Sequence, residues 1–136
     1  MTALLFDASV LLAAADPEDD HHEPSRSILE DDDLVVATLD LARYEVANVA
    51  VRAWRAPALV VPLLAVIDRL ADDGGVVLSA GSLLGEAAAL SERHEISVYD
   101  AAYVAAATAT GQALVSCDER DLVSKGLASL PAGLTD

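Results

Sequence analysis

The chain alternates short apolar runs with longer helix-forming segments, and that alternation restricts the folds open to it more than any other feature. Residues 3–6, 34–37, 76–78 and 113–116 are short apolar runs bounded by polar or turn residues, as expected of strands buried in a sheet. Residues 10–15, 24–30, 39–55, 60–73, 82–94 and 100–110 read as helices. Their ends carry recognisable signals. Ser9 stands near the first cap, Asp16-Pro17 closes that helix, and Thr38 or Asp40 can cap the long helix that Pro57 ends. Gly74-Gly75 and Gly111 mark two further stops. Strands interleaved with helices predict an α/β sandwich around a central, mainly parallel sheet of four or five strands. Pro131 and Gly133 make the fifth strand, in the tail, the uncertain one.

At 136 residues the chain fits one domain, large enough to bury a sizeable core. It is 54% hydrophobic and 23% charged, which excludes a disordered chain. One cysteine excludes an internal disulfide and points to a reducing compartment. Charges and turn residues such as Asp16, Arg52, Asp68 and Asp72 interrupt every apolar stretch well before the roughly 18–20 residues of a membrane span. The first seven residues have no basic segment and meet an acid at Asp7, unlike a signal peptide. A soluble, cytoplasmic protein is expected.

The net charge of −15, taken alone, argues against a nucleic-acid binder. The excess is unevenly placed: residues 16–33 hold nine acids against Arg26 alone. This segment reads as a solvated acidic surface, with docking of a basic partner as the functional alternative.

Other acids fall at more informative places. In parallel α/β sheets ligands gather beyond the carboxyl ends of the strands. Asp7 follows the first strand, Asp118 follows the fourth, and Asp100 opens the helix that leads into the fourth. Helix capping explains Asp100 as well as function does. Asp7 resists such an account, because a charge between an apolar strand and an apolar helix is costly without a partner. Glu45 lies inside the long helix, with Asn48 and Arg52 three and seven positions on, so one face is polar. Alone it reads as a solvated surface residue. Acids converging on one edge repel one another unless cations intervene, and carboxylates suit Mg²⁺ or Mn²⁺.

Four segments together resemble a known family. Leu4-Leu5-Phe6-Asp7-Ala8-Ser9-Val10-Leu11-Leu12 is similar to the opening of PIN domains, a hydrophobic strand, Asp-x-Ser/Thr and an apolar helix. Tyr44-Glu45-Val46-Ala47-Asn48, Ser97 to Ala105 around Asp100, and Leu114 to Leu122 around Asp118 follow in the family's order and spacing. Each motif is weak alone; four in order across 136 residues are specific. The resemblance covers nearly the whole chain, reads residues 1–136 as a single PIN domain, and extends to the VapC-type toxins of bacterial toxin–antitoxin pairs.

The resemblance implies a Mg²⁺- or Mn²⁺-dependent endoribonuclease. Asp7, Glu45, Asp100 and Asp118 match the family's acidic positions, and Ser9 and Ser116 its supporting hydroxyls, with Ser116 standing where Thr is frequent. Asp7 and Asp100 would be the main ligands of a first ion, and Asp118 would complete the site. Glu45 would ligate a second ion, or orient or deprotonate the water. Asn48 is a supporting candidate. Of eight basic residues, Arg43, Arg52 and Arg120 are the chosen candidates for phosphate contacts, with surface solubility as the alternative. The implied partners are RNA, a cognate antitoxin and a second copy in a homodimer, with no membrane. Hydrophobic surface around residues 60–70 would support a partner interface.

Three other readings compete. A haloacid-dehalogenase-like phosphohydrolase would need a second Asp where Ser9 stands, and a receiver domain an acidic pair where Phe6 and Ala8 flank Asp7. No GxxxxGK[ST] or GxGxxG occurs. A non-catalytic PIN-like interaction module is the third, opposed by retention of all four acids. The remaining polar and aromatic residues take structural readings. His21-His22 lacks metal-ligand spacing, Cys117 is a packing residue, and Trp54 and Tyr44 are core or dimer contacts. Tyr99 and Tyr103, flanking Asp100, stay ambiguous.

Overall fold

The computed structural model of this chain describes residues 2–73 and 75–134. Strand β1 (Thr2–Phe6) leads into α1 (Ala8–Ala15) and α2 (His22–Leu29), then β2 (Leu34–Leu39). Next come α3 (Leu41–Asn48), α4 (Val60–Asp72) and the short β3 (Val76–Val77). The chain closes with α5 (Gly81–His94), α6 (Val98–Thr110) and β4 (Ala113–Val115). The four strands form one parallel sheet in the order β3-β2-β1-β4. The tail adds no fifth strand among the described residues; it contributes one bridge, Val115 to Ser129.

Central β1 explains its own composition. Leu4, Leu5 and Phe6 are all buried, as a parallel strand covered on both faces requires. In register, Phe6 lies opposite Thr38 on one side and Val115 on the other. Parallel strands in register end at one edge, so Asp7, Leu39 and Ser116 emerge together. The buried Thr38 hydroxyl donates to the Phe6 carbonyl at 2.8 Å and locks that edge. Helix α6 is buried from Ala101 to Ala107, its five alanines there letting it pack closely and Tyr103 filling the core beside them.

Local chemistry moved several boundaries. Asp7, not Ser9, caps α1, its side chain accepting from the Ser9 and Val10 amides. Neither proposed cap works on α3: Thr38 sits in β2, and the Asp40 carboxylate accepts from the Ser79 amide at 3.0 Å and hydroxyl at 2.6 Å. The long helix expected over 39–55 is regular only to Asn48. A wide π turn follows at Val49–Ala53, and Arg55 takes a positive φ of 53°. Pro57 then opens a 3-10 turn, Pro57–Leu59, leading into α4. Of the expected Gly74-Gly75 stop, Gly74 lies outside the described residues. Gly75 is required by space: a Cβ there would sit 2.6 Å from the Val36 carbonyl oxygen. No helix among the described residues is long and apolar enough to cross a membrane.

Candidate active site

The site grows out of the strand ends. Asp7 leaves β1, and its amide donates to the Val115 carbonyl at 3.2 Å. Its Oδ1 accepts from the Ser9 amide at 3.0 Å, the Val10 amide at 3.4 Å and the Ser9 hydroxyl at 2.5 Å. The residue is only 5% exposed. Burial pushes its carboxyl up to about 6, against hydrogen bonds from Ser116, Ser9 and Val10 that pull it down, and the charge of Asp100 adds to the rise. Asp7 is therefore both a helix cap and a costly charge.

The two serines tie this acid to β4. The Ser9 oxygen accepts from the Cys117 amide at 2.9 Å and lies 3.4 Å from the Ser116 hydroxyl. Ser116 is fully buried, and its oxygen accepts from the Asp118 amide at 3.0 Å. The hydroxyls thus hold the start of α1 and the turn after β4 at a fixed distance.

Asp118 begins a one-turn π segment, Glu119–Val123, and its Oδ1 accepts from the Asp121 amide at 2.9 Å. Asp100 lies in the first turn of α6, and its amide donates to the capping Ser97 hydroxyl at 3.0 Å. One carboxylate oxygen each from Asp100, Asp118 and Asp121 falls within 4.8 Å of the others. All three residues are partly buried. Burial and then the charges of Asp118 and Asp121 hold the Asp100 carboxyl above its ordinary range, against the Ser97 hydrogen bond. Asp121 was not singled out from sequence. Its signal was its place three residues beyond Asp118, where a capped turn brings the two carboxylates together.

Glu45 approaches from α3. It is half-buried, and its Oε1 accepts from the Tyr103 hydroxyl at 2.6 Å. Burial raises its carboxyl, Tyr103 opposes the rise, and the charge of Asp100 adds to it. Asp100 is thus felt electrostatically by Asp7 as well as Glu45, and all the predicted acids belong to one neighbourhood.

The basic candidates are more scattered. Arg43 pairs with Asp68 on α4 at 3.4 Å. Arg52 is exposed on the π turn, where the helical face shared with Glu45 and Asn48 has lost its period. Asn48 is exposed at the end of α3. Arg120 is exposed, 4.0 Å from Asp121. Among the aromatic residues, Tyr44 is 78% exposed and is not a core residue, whereas Trp54 packs against the core and Tyr103 lies within it. Cys117 is half-buried, and burial pushes its thiol up to about 11, keeping it protonated. His22 turns its Nδ1 to the Ala13 carbonyl at 2.8 Å, a structural contact.

A carboxylate cluster of this kind is a hard-oxygen donor set. It fits Mg²⁺ or Mn²⁺, and it is electrostatically unfavourable without one.

Similarity to known proteins runs the length of this arrangement. The PIN domain family model matches residues 4–125. Ribonuclease VapC3 of Pyrobaculum aerophilum is 35% identical over 130 residues, which cover 90% of this chain and 93% of the relative. VapC20 of Mycobacterium tuberculosis, a sarcin–ricin loop cleaving toxin, has a similar fold, with a TM-score of 0.70 and 20% identity over 86% of this chain and 91% of its own. A toxin–antitoxin complex from Klebsiella pneumoniae matches with a TM-score of 0.69 and 16% identity, covering 94% of this chain and 97% of that one. At these identities the structural matches speak to fold alone.

Proposed function

The chain belongs to the PIN domain family, and from that premise we propose that it is an RNA-cleaving hydrolase, the toxin component of a toxin–antitoxin pair. One observation carries the chemistry: Asp100, Asp118 and Asp121 converge within 4.8 Å, at the sheet edge where the buried Asp7 also emerges. Asp100, Asp118 and Asp121 would hold a divalent cation, Mg²⁺ or Mn²⁺, with Asp7 adding charge from the end of β1. When bound, such an ion polarises the phosphate and lowers the pKa of water.

The chain's own residues do the rest. Asp7 stays oriented by three donors, so its charge does not swing toward solvent. Glu45, held at Oε1 by Tyr103, would face the ion and accept the proton of the attacking water. Ser9 and Ser116 fix the loop that carries Asp118. Exposed Arg120, next to Asp121, and exposed Arg52 on the π turn contact phosphates, and Arg43, committed to Asp68, contributes less.

The partner side of the reading has its own support. Ala15, Trp54, Leu59, Pro62, Leu63 and Val66 line an apolar groove of about 210 Å³, and Val61 beside it is 75% exposed. A groove of this kind on a chain of net charge −15 suits a basic, amphipathic antitoxin segment. Tyr99, Val98 and Leu84, exposed on α5 and α6, are candidates for a homodimer face. A free cysteine accords with a cytoplasmic location.

The test is cleavage of a panel of structured RNAs in Mg²⁺, Mn²⁺ or EDTA, comparing wild type with Asp7→Asn and Asp100→Asn. Metal-dependent cutting lost in both variants is expected. Absence of cutting by folded, partner-free protein across the panel would overturn the reading in favour of a non-catalytic module.

A further inference from the structure

Tyr103 is a large side chain, 1% exposed, in a helix rich in alanine. If it only filled space, its hydroxyl would be a liability, since a buried hydroxyl is costly unless bonded. The hydroxyl is bonded. It donates to Glu45 Oε1 at 2.6 Å, across 58 residues of sequence.

The phenol also sits three residues after Asp100, one turn along α6. One side chain therefore touches Glu45 of α3 and shares α6 with Asp100. Burial, and then the charge of Glu45, push the phenol far above its usual range, so it stays a donor. The bond takes one of roughly four acceptor positions of the carboxylate and presents the others in a single orientation.

We infer that Tyr103 is a positioning residue, whose hydroxyl sets the direction of the Glu45 carboxylate toward the cation and the reacting water. This rests on the nuclease reading above. A phenylalanine would fill the same space in the core, so the hydroxyl alone is under test.

The experiment compares wild type, Tyr103→Phe, Glu45→Gln and the double variant. It reads kcat and KM for an RNA substrate, Mn²⁺ affinity by titration calorimetry, and Tm. Tyr103→Phe should lower kcat by about 10- to 100-fold, the range for groups that orient a metal site's ligands. Its KM should stay within about twofold, because substrate binding is untouched. Mn²⁺ should bind several-fold more weakly. The double variant should be no worse than Glu45→Gln, since both changes remove one device. Wild-type kcat and Mn²⁺ affinity in Tyr103→Phe, or losses that multiply in the double variant, overturn the inference.

If Tyr103→Phe unfolds, 3-fluorotyrosine at position 103 keeps ring and hydroxyl but donates more strongly. It should weaken Mn²⁺ binding by about twofold at unchanged Tm. Equal affinity would overturn the inference. If wild type cuts no RNA, the nuclease reading fails, while the Mn²⁺ titrations still decide whether the hydroxyl orients Glu45.

Discussion

Replacing Asp7 by Asn should stabilise the metal-free protein while abolishing its activity. The reason is linkage. An unfolded Asp titrates near 3.8, whereas burial pushes Asp7 up to about 6 in the fold. Between those values the native state holds a proton that the unfolded chain has released. Stability from this group is therefore fully present below about pH 4 and lost as pH rises through about 6. At 1.36 kcal/mol per pH unit, the ionised Asp7 costs about 3 kcal/mol at pH 7. The carboxamide avoids that cost and still offers an oxygen to the Ser9 and Val10 amides. Its two N–H donors need partners in a buried place, which costs about 1 kcal/mol. A net gain of about 2 kcal/mol remains, or about 1 M in the urea midpoint for an m-value near 2 kcal/mol/M.

Urea denaturation in EDTA from pH 4 to 7 measures this directly. Wild type should lose stability relative to Asp7→Asn as pH rises, with the two curves crossing at about pH 4.5, where the ionisation cost equals the carboxamide's cost of about 1 kcal/mol. Glu45 and Asp100, also raised mainly by burial, slope the same way in both proteins and cancel in the difference. Saturating Mn²⁺ should then reverse the order, because ligand at 100 times its Kd adds about 2.7 kcal/mol to the protein that binds it. Asp7→Asn less stable than wild type at pH 7 in EDTA, or two parallel pH profiles, would refute the reasoning.

Two further outcomes follow from the geometry. Asp121→Asn should weaken Mn²⁺ binding by about 10-fold or more, since it removes one of three converging charges, and titration calorimetry reads it. Arg52→Ala and Arg120→Ala should each weaken RNA binding and flatten its salt dependence by about 0.7 in log–log slope, measured by fluorescence anisotropy without divalent metal; an unchanged slope removes that arginine from the phosphate path.

The positions of Asp7, Asp100 and Asp118 were legible because each stands where an apolar run stops or a helix begins. A parallel sheet turns such one-dimensional punctuation into a shared edge. Glu45 was legible only through the family motif; nothing local separates it from a solvated helix residue. Asp121 escaped notice and Tyr103 was named without a role, for different reasons. Asp121 joins the cluster through a one-turn π segment that no apolar period announces. Tyr103 acts across 58 residues, a contact that exists only once α3 and α6 have packed. The break after Asn48 was equally hidden, since a single wide turn leaves an Ala- and Val-rich run looking helical. Asp40 shows the converse error, a plausible cap whose carboxylate is drawn instead to Ser79 across the sheet edge.

The same logic explains why the acids are individually restrained. A free carboxylate beside another would rotate into solvent and relieve the repulsion. Here Asp7 is pinned by the start of α1, Asp118 by the turn it caps, and Glu45 by Tyr103. Asp100 is placed by a helix start that Ser97 caps. Each restraint removes a way of escaping the neighbouring charge, so the repulsion persists in the folded state. It appears as carboxyls raised above their ordinary range at Asp7, Glu45 and Asp100, although burial is the larger cause in each. A divalent cation bound there would relieve the repulsion between ligands that the donors already hold in place. Stability sacrificed in the metal-free state is therefore returned as affinity, and mutations that relax the cluster should gain the first while losing the second.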